Sequence, residues 1–121
     1  MLGTVIVIRP GDLDKDPEVK YYARAITADE LRTIVGGYLE QVPGFLTIGY
    51  AGTVMTCVAF CNEYGKLDKL PVNEPATLCW ERSLRRRGLN LLDDKTNTPK
   101  DWLVGNIAVL FGDREFMEAL I

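Results

Sequence analysis

A chain of 121 residues, 47% of them apolar, is long enough for one domain with a single hydrophobic core and too apolar to be disordered. Its formal net charge of −3 argues against a general binder of DNA or RNA, because such proteins carry an excess of basic residues. No stretch approaches the roughly 18 apolar residues of a membrane span, and the start of the chain does not resemble a secretory signal. We therefore expect one domain over residues 1–121, located in the cytoplasm, with no membrane partner and no nucleic-acid polymer as a ligand.

The first half of the chain predicts strands around one well-marked helix. The β-branched run TVIVIR predicts a strand over Thr4–Arg9, and the alternation in EVKYYARAI predicts a second strand. Thr27 followed by Glu30 is the sequence of a capping box, and Gly36 suits the left-handed residue that ends a helix. YLEQV then predicts a strand, and FLTIGY and TVMTCVAF predict two strands of a hairpin around Ala51-Gly52.

The second half of the chain predicts two further helices and one buried strand. Asn73 is the predicted N-cap of a helix with Pro75 in its first turn and Gly88 behind its last turn. WLVGNIAVLF predicts a buried strand that is interrupted by Gly105-Asn106, and Asp113 predicts the start of a short terminal helix. Strands outnumber helices and follow one another directly. This pattern predicts an α+β domain with a mostly antiparallel mixed sheet and two to three short helices.

Arginines form the densest group of charges in the chain, at Arg82 and at positions 85–87. On a helix, Arg82, Arg85 and Arg86 share a face, because they are spaced i, i+3 and i+4. Guanidinium groups bind phosphate through paired N–H donors, so this face is a candidate anion site. The alternative is a solvated helix end, in which Glu81 pairs with Arg85 and the arginines interact favourably with the negative end of the helix dipole.

Two other residues of the same helix complete the candidate ligand site. Trp80 offers a ring on which a base could stack, and Asn73 lies at the start of the helix. The alternatives are core packing for Trp80 and a turn-shaping role for Asn73. The candidate ligand-binding residues are therefore Asn73, Trp80, Arg82, Arg85 and Arg86.

Catalytic and metal chemistry is not indicated by the residues. The chain has no histidine that could activate Ser83 or a cysteine, and its three cysteines lack the partners of a zinc site. Asp12, Asp14 and Asp16 mimic the start of a calcium loop, but its glycine and closing glutamate are missing. We predict a non-enzymatic protein with reduced cysteines and no catalytic residue, metal or cofactor. An enzyme that uses Asp or Glu together with Lys stays open as an alternative.

Three separated segments resemble one protein family. They are LRTIVGGYLEQVP (Leu31–Pro43), NEYGKLDKLPVN (Asn62–Asn73) and WLVGNIAVLF (Trp102–Phe111), which resemble the V-G-G-Y-[IL]-E, N-E-x-G-K, L-P-x-N and late V-G segments of the DUF3846 family. That family comprises small proteins and domains of unknown function, common in bacteriophages, plasmids and some bacteria. The resemblance implies a small accessory protein of a mobile element, placed in the host cytosol if phage-encoded. WERSLRRRG and the FLTIGYAGTVMTCVAF arm depart from the family pattern, so the resemblance implies no role for the arginines.

These observations favour a binding protein that captures a small anionic ligand. The most specific version of this hypothesis is that the ligand is a cyclic nucleotide used as an immune signal. The protein would then sequester this signal in counter-defence. We also expect a homo-oligomer, because a chain of this length offers little concave surface of its own. The alternative function is an inhibitor or adaptor that acts on a host enzyme through exposed aromatic side chains.

Overall fold

A five-stranded antiparallel sheet and a separate two-stranded hairpin make up the β-structure of this protein. The computed structural model describes residues 1–11, 15–92, 95–96 and 100–120, and these residues contain seven strands and three helices. The predicted α+β class is thereby confirmed. No helix within the described ranges is both long enough and apolar enough to cross a membrane.

The chain order of the elements differs from their order in the sheet. In chain order they are β1 (Gly3–Ile8), β2 (Glu18–Tyr22), α1 (Ala28–Val35), β3 (Leu39–Gln41), β4 (Thr47–Tyr50), β5 (Thr53–Thr56), β6 (Val58–Asn62), α2 (Glu74–Arg86), β7 (Ile107–Gly112) and α3 (Arg114–Glu118). The large sheet has the order β2-β1-β7-β6-β3, and β4 and β5 form the hairpin. The late strand β7 therefore lies at the centre of the sheet, between the first strand and β6.

Both faces of the large sheet are covered. Because strand side chains point alternately to opposite sides, successive residues of β1 pack in different core clusters. Ile6 and Ile8 of β1 pack on one face in the same cluster as Trp80 of α2. Val5 and Val7 point the other way and pack in a second cluster formed with α1 and α3. The arginine-bearing helix and the hairpin thus share one side of the sheet, and α1 and α3 share the other.

The predicted capping box of α1 is confirmed. The Thr27 hydroxyl accepts a hydrogen bond from the backbone N–H of Glu30 at 3.1 Å, and the Glu30 carboxylate accepts one from the Thr27 N–H at 3.0 Å. Gly36 ends the helix with φ at +80°, in the left-handed region that glycine adopts without a steric penalty. The predicted N-caps Asn73 and Asp113 are confirmed in the same way for α2 and α3.

One predicted strand is two strands in the structure. The apolar run TVMTCVAF is broken at Cys57, where the chain leaves the hairpin and enters the large sheet as β6. Cys57 is buried, and its backbone N–H donates to the Leu46 carbonyl at 2.8 Å. The prediction of a single strand was wrong because the run contains no Gly, Pro, Asn or Asp that would mark the crossing. The predicted turn at Ala51-Gly52 is confirmed, with φ of +50° and +78°.

The predicted interruption at Gly105-Asn106 is confirmed, because regular strand begins only after it, at Ile107. Gly105 has φ at +68°, and its N–H donates to the Pro71 carbonyl at 2.8 Å. Val104 forms an isolated bridge with Val72. Val104 and Gly105 are therefore paired with Pro71 and Val72, which precede α2, and they do not extend β7.

Candidate functional site

Asn73 is a structural residue at the start of α2. Its side chain is 0% exposed, and its Oδ1 accepts the N–H of Ala76 at 3.0 Å. Its Nδ2 donates to the carbonyls of Ile8 at 2.9 Å and Gly105 at 2.8 Å. Both amide hydrogens are therefore used inside the protein, and the residue joins α2 to the end of β1 and to the turn before β7. This geometry supports the turn-shaping alternative over ligand binding.

Trp80 belongs to the hydrophobic core. Only 6% of it is exposed, and its indole N–H donates to the Pro43 carbonyl at 2.9 Å. The ring packs with the residues beneath α2 and does not line the cavity that the arginines border. The core-packing alternative therefore describes Trp80 better than a stacking platform beside the arginines.

The three candidate arginines do not act as one group. Arg85 forms an ion pair with Glu81, one turn earlier on α2, as the solvated-helix alternative predicted. Arg82 and Arg86 instead border the same cavity. No ion pair joins Arg82 or Arg86 to a carboxylate within the described part of the chain. The structure thus separates one arginine that is paired with a carboxylate from two that line a cavity and have no carboxylate partner among the described residues.

The cavity beside Arg82 and Arg86, which we call the arginine pocket, has a volume of about 380 Å³. It lies between α2, the edge of the large sheet and the hairpin. Ile6, Ile8 and Val19 of β1 and β2 give it an apolar surface on the side of the sheet. Ligand pockets of proteins share this composition, with mostly apolar walls and a few polar groups that orient the ligand.

A hydrogen-bond network holds the hairpin wall and Arg86 together. The Ser83 hydroxyl of α2 is fully buried and accepts the backbone N–H groups of Leu46 and Thr47 at 2.9 and 3.1 Å. The same hydroxyl donates to the Gly44 carbonyl at 2.9 Å. Arg86 in turn donates to the Thr47 hydroxyl at 3.1 Å. Ser83 therefore holds the backbone of Thr47, the residue whose hydroxyl accepts the hydrogen bond from Arg86.

Tyr50 lines the arginine pocket from the hairpin side. Its hydroxyl lies 2.8 Å from that of Tyr21 on β2, and its ring centroid lies 5.3 Å from that of Phe111. The hydrogen bond with Tyr21 is the main reason why the pKa of Tyr50 is raised above its ordinary value. Tyr50 therefore keeps its proton at neutral pH and offers a neutral hydroxyl beside the cavity.

The charged residues that line the arginine pocket in the described part of the chain are net positive, although the protein is acidic overall. They are Arg82, Arg86 and one carboxylate, that of the exposed Asp16. Cys79 also lines the pocket, and burial raises its pKa although the two arginines act in the opposite direction. The thiol is therefore protonated at neutral pH and serves as part of the apolar wall. It is not poised as a thiolate nucleophile.

The acidic segment and the cysteines singled out in the sequence form no metal site in the described part of the chain. Among the described residues, no group of three or more Cys, Asp or Glu side chains is placed to hold a metal ion. Asp12 and Asp14 of the segment that mimics a calcium loop lie outside the described residues. The three cysteines are free, with Cys57 buried and the other two half-buried.

Comparisons with known proteins do not place this chain in a family. No family model matches it, and neither a curated protein nor a solved structure matches it. The resemblance to the DUF3846 family therefore stays a prediction. The functional proposals that follow therefore start from the geometry of the described residues.

Proposed function

We propose that this protein binds a small organic anion in the arginine pocket, without chemical turnover. The observation that carries the proposal is the placement of Arg82 and Arg86 one helical turn apart on the same cavity wall, with no carboxylate partner in the described ranges. Two guanidinium groups at this spacing can both donate to one phosphate or carboxylate group. The apolar floor then takes the organic part of the ligand.

A nucleotide fits these demands. Its phosphate provides the anionic group, and its base provides a flat apolar surface for the Ile8, Val19 and Ile48 side chains. The pocket volume of about 380 Å³ lies at the low end of the range of ligand sites. One chain would therefore hold a single nucleotide unit, and a cyclic dinucleotide would require a pocket from a second copy. This requirement is the physical reason for proposing a homo-oligomer.

The biological form of this proposal is sequestration of a cyclic nucleotide immune signal in the host cytosol. It rests on the resemblance to a family found in bacteriophages and plasmids, together with the arginine pocket. Sequestration needs affinity and stoichiometric amounts of protein, and it needs no catalytic group. Nothing in the lining of the pocket has to act as a nucleophile or as a general base.

The proposal is tested by isothermal titration calorimetry with a cyclic mononucleotide, a cyclic dinucleotide and the uncharged nucleoside. We expect saturable binding of at least one nucleotide and no binding of the nucleoside. Arg82→Gln and Arg86→Gln should each weaken binding about tenfold or more, since a hydrogen bond to a charged group contributes about 1.5–3 kcal/mol.

Arg85→Gln is the matched control, because it removes the same charge from the same helix but outside the pocket. Arg85→Gln should lower the nucleotide affinity only slightly, and this difference from the wild type should disappear at high salt. The proposal fails if no nucleotide binds saturably, or if Arg85→Gln weakens binding as much as Arg82→Gln does.

A second candidate function, binding to a host protein, is favoured by exposed apolar side chains at the other end of the sheet. Leu67 is 79% exposed, and the exposed rings of Tyr38 and Tyr64 pack edge to face at 6.2 Å. A pull-down from host lysate with the wild-type chain and with Leu67→Asp tests this function. One stoichiometric partner, captured by the wild type and lost by the variant, would support it; equal capture by both chains would contradict it.

A further inference from the structure

A second cavity, of about 240 Å³, lies on the side of α2 that carries Trp80. The three segments that resemble the DUF3846 family meet around it. The first contributes Glu40 and Val42, the second contributes Lys66, and the third contributes Trp102. Residues far apart in the sequence thus converge on one concavity that is separate from the arginine pocket.

The charge of this second cavity is opposite to that of the arginine pocket. Glu40, Glu63 and Asp101 line it together with a single cationic side chain, Lys66, which leaves a net charge of −2. The field of these carboxylates also acts on Cys61 in the same wall. Burial first, and then the charge of Glu40, raise the pKa of that thiol to about 11.

Lys66 marks the position at which this cavity holds a cation. Its ammonium group pairs with the Asp101 carboxylate and lies 5.0 Å from the centroid of the Trp102 ring. The face of a tryptophan ring and a carboxylate both attract organic ammonium groups, and Trp102 and Asp101 offer both at this position. Trp102 is 43% exposed, so a ligand can reach it from solvent.

We propose that this cavity binds a small organic ammonium ion, which displaces the Lys66 ammonium group from Trp102 and Asp101. The apolar side chains of the wall, among them Val42 and Leu103, would contact the hydrocarbon part of the ligand. Displacement is inexpensive, because both side chains of the Lys66–Asp101 pair are about half exposed, and exposed ion pairs contribute little to stability. The long stem of Lys66 allows its ammonium group to move into water.

This assignment is independent of the proposed function. It uses a different cavity, a ligand of opposite charge and none of the arginines. The two sites can therefore fail separately, and Arg82→Gln should leave ammonium binding unchanged.

The test is calorimetric titration of the full chain with choline and with 3,3-dimethylbutan-1-ol, its neutral isostere. We expect saturable binding of choline and none of the alcohol. Lys66→Met should bind choline about twofold to fivefold more tightly, because the competing internal cation is gone. Lys66→Arg keeps that competitor and should behave like the wild type.

Trp102→Leu should abolish choline binding and should leave the affinity of the arginine pocket unchanged, which separates loss of the site from loss of the fold. Three results would overturn the assignment. They are equal binding of choline and the alcohol, weaker choline binding by Lys66→Met than by the wild type, and the absence of saturable choline binding in both of these chains.

Discussion

The hydroxyl oxygens of Tyr21 and Tyr50 lie 2.8 Å apart and connect the edge strand β2 to the β4–β5 hairpin. The hairpin and the large sheet are two separate sheets that share no strand pairing. The position of the hairpin over the sheet therefore depends on the chain connection through Cys57 and on side-chain contacts, of which this hydrogen bond is one. Since Tyr50 lines the arginine pocket, the same contact helps to set the width of the pocket.

Replacing Tyr21 with phenylalanine removes this bond and keeps the ring. We expect Tyr21→Phe to lower the free energy of unfolding by no more than about 1 kcal/mol, because Tyr21 is largely exposed and water can replace its partner. Nucleotide affinity should fall about twofold to threefold, since the hairpin wall becomes less fixed. Urea unfolding and calorimetric titration measure the two effects. Tyr64→Phe, an exposed tyrosine outside the pocket, is the control, and equal affinities of the two variants would refute this coupling.

Ser83→Ala should destabilise the protein more strongly. The variant leaves the N–H groups of Leu46 and Thr47 without their acceptor at a site where Ser83 itself is fully buried. We expect a loss of about 1–3 kcal/mol of unfolding free energy, with weaker nucleotide binding because Thr47 also holds Arg86. Thr33→Ala removes an exposed hydroxyl of α1 and is the matched control. Unchanged stability of Ser83→Ala would show that water replaces the hydroxyl.

Asn73 should be among the residues least tolerant of substitution. Asn73→Ala removes the N-cap of α2 and leaves the carbonyls of Ile8 and Gly105 without a donor, so we expect a loss of about 3 kcal/mol or more. Asn73→Asp keeps the capping oxygen but directs a carboxylate at two carbonyl oxygens, and it should be similarly damaging. Thr27→Ala, at the exposed cap of α1, should cost only about 1 kcal/mol. Chemical denaturation of the three variants provides the comparison, and equal losses for the Asn73 and Thr27 variants would contradict the assigned role.

Helix ends are the part of this fold that the sequence predicts best. The caps at Thr27, Asn73 and Asp113 depend on groups within three positions of the cap, so their signals are local. The strand boundaries at Cys57 and Ile107 depend on which distant segment the backbone pairs with. No local turn residue marks the crossing at Cys57, and that boundary was predicted incorrectly. Gly105-Asn106 marks the interruption before Ile107, but it does not indicate that Val104 pairs with Val72 outside the strand.

The candidate site was predicted only in part, for a similar reason. Helical spacing places Arg82, Arg85 and Arg86 on one face, but the spacing does not say where that face meets the hairpin. The structure places Arg82 and Arg86 on the pocket and leaves Arg85 with Glu81. The Tyr21–Tyr50 contact joins residues 29 positions apart, and nothing in either neighbourhood of the sequence indicates it.

Glu30 should make stability depend on pH in the acidic range. A hydrogen bond from Arg24, followed by the Thr27 N–H, lowers its pKa from 4.5 to about 2. Because the folded pKa lies below the ordinary value, the stabilisation is fully present above pH 4.5 and is lost as the pH falls toward about 2. The difference in unfolding free energy between the wild type and Glu30→Gln should therefore shrink across this window.

Urea unfolding of both chains at several pH values between neutrality and the acid limit of the native state measures this difference. Glu115→Gln controls for the loss of one negative charge, because Glu115 is exposed and forms no ion pair within the described ranges. A wild-type advantage over Glu30→Gln that stays constant from pH 4.5 downward would mean that the carboxylate charge does not stabilise the capping box. A shrinking advantage would instead identify the contacts of Glu30 with Arg24 and Thr27 as a charge-dependent part of the native fold.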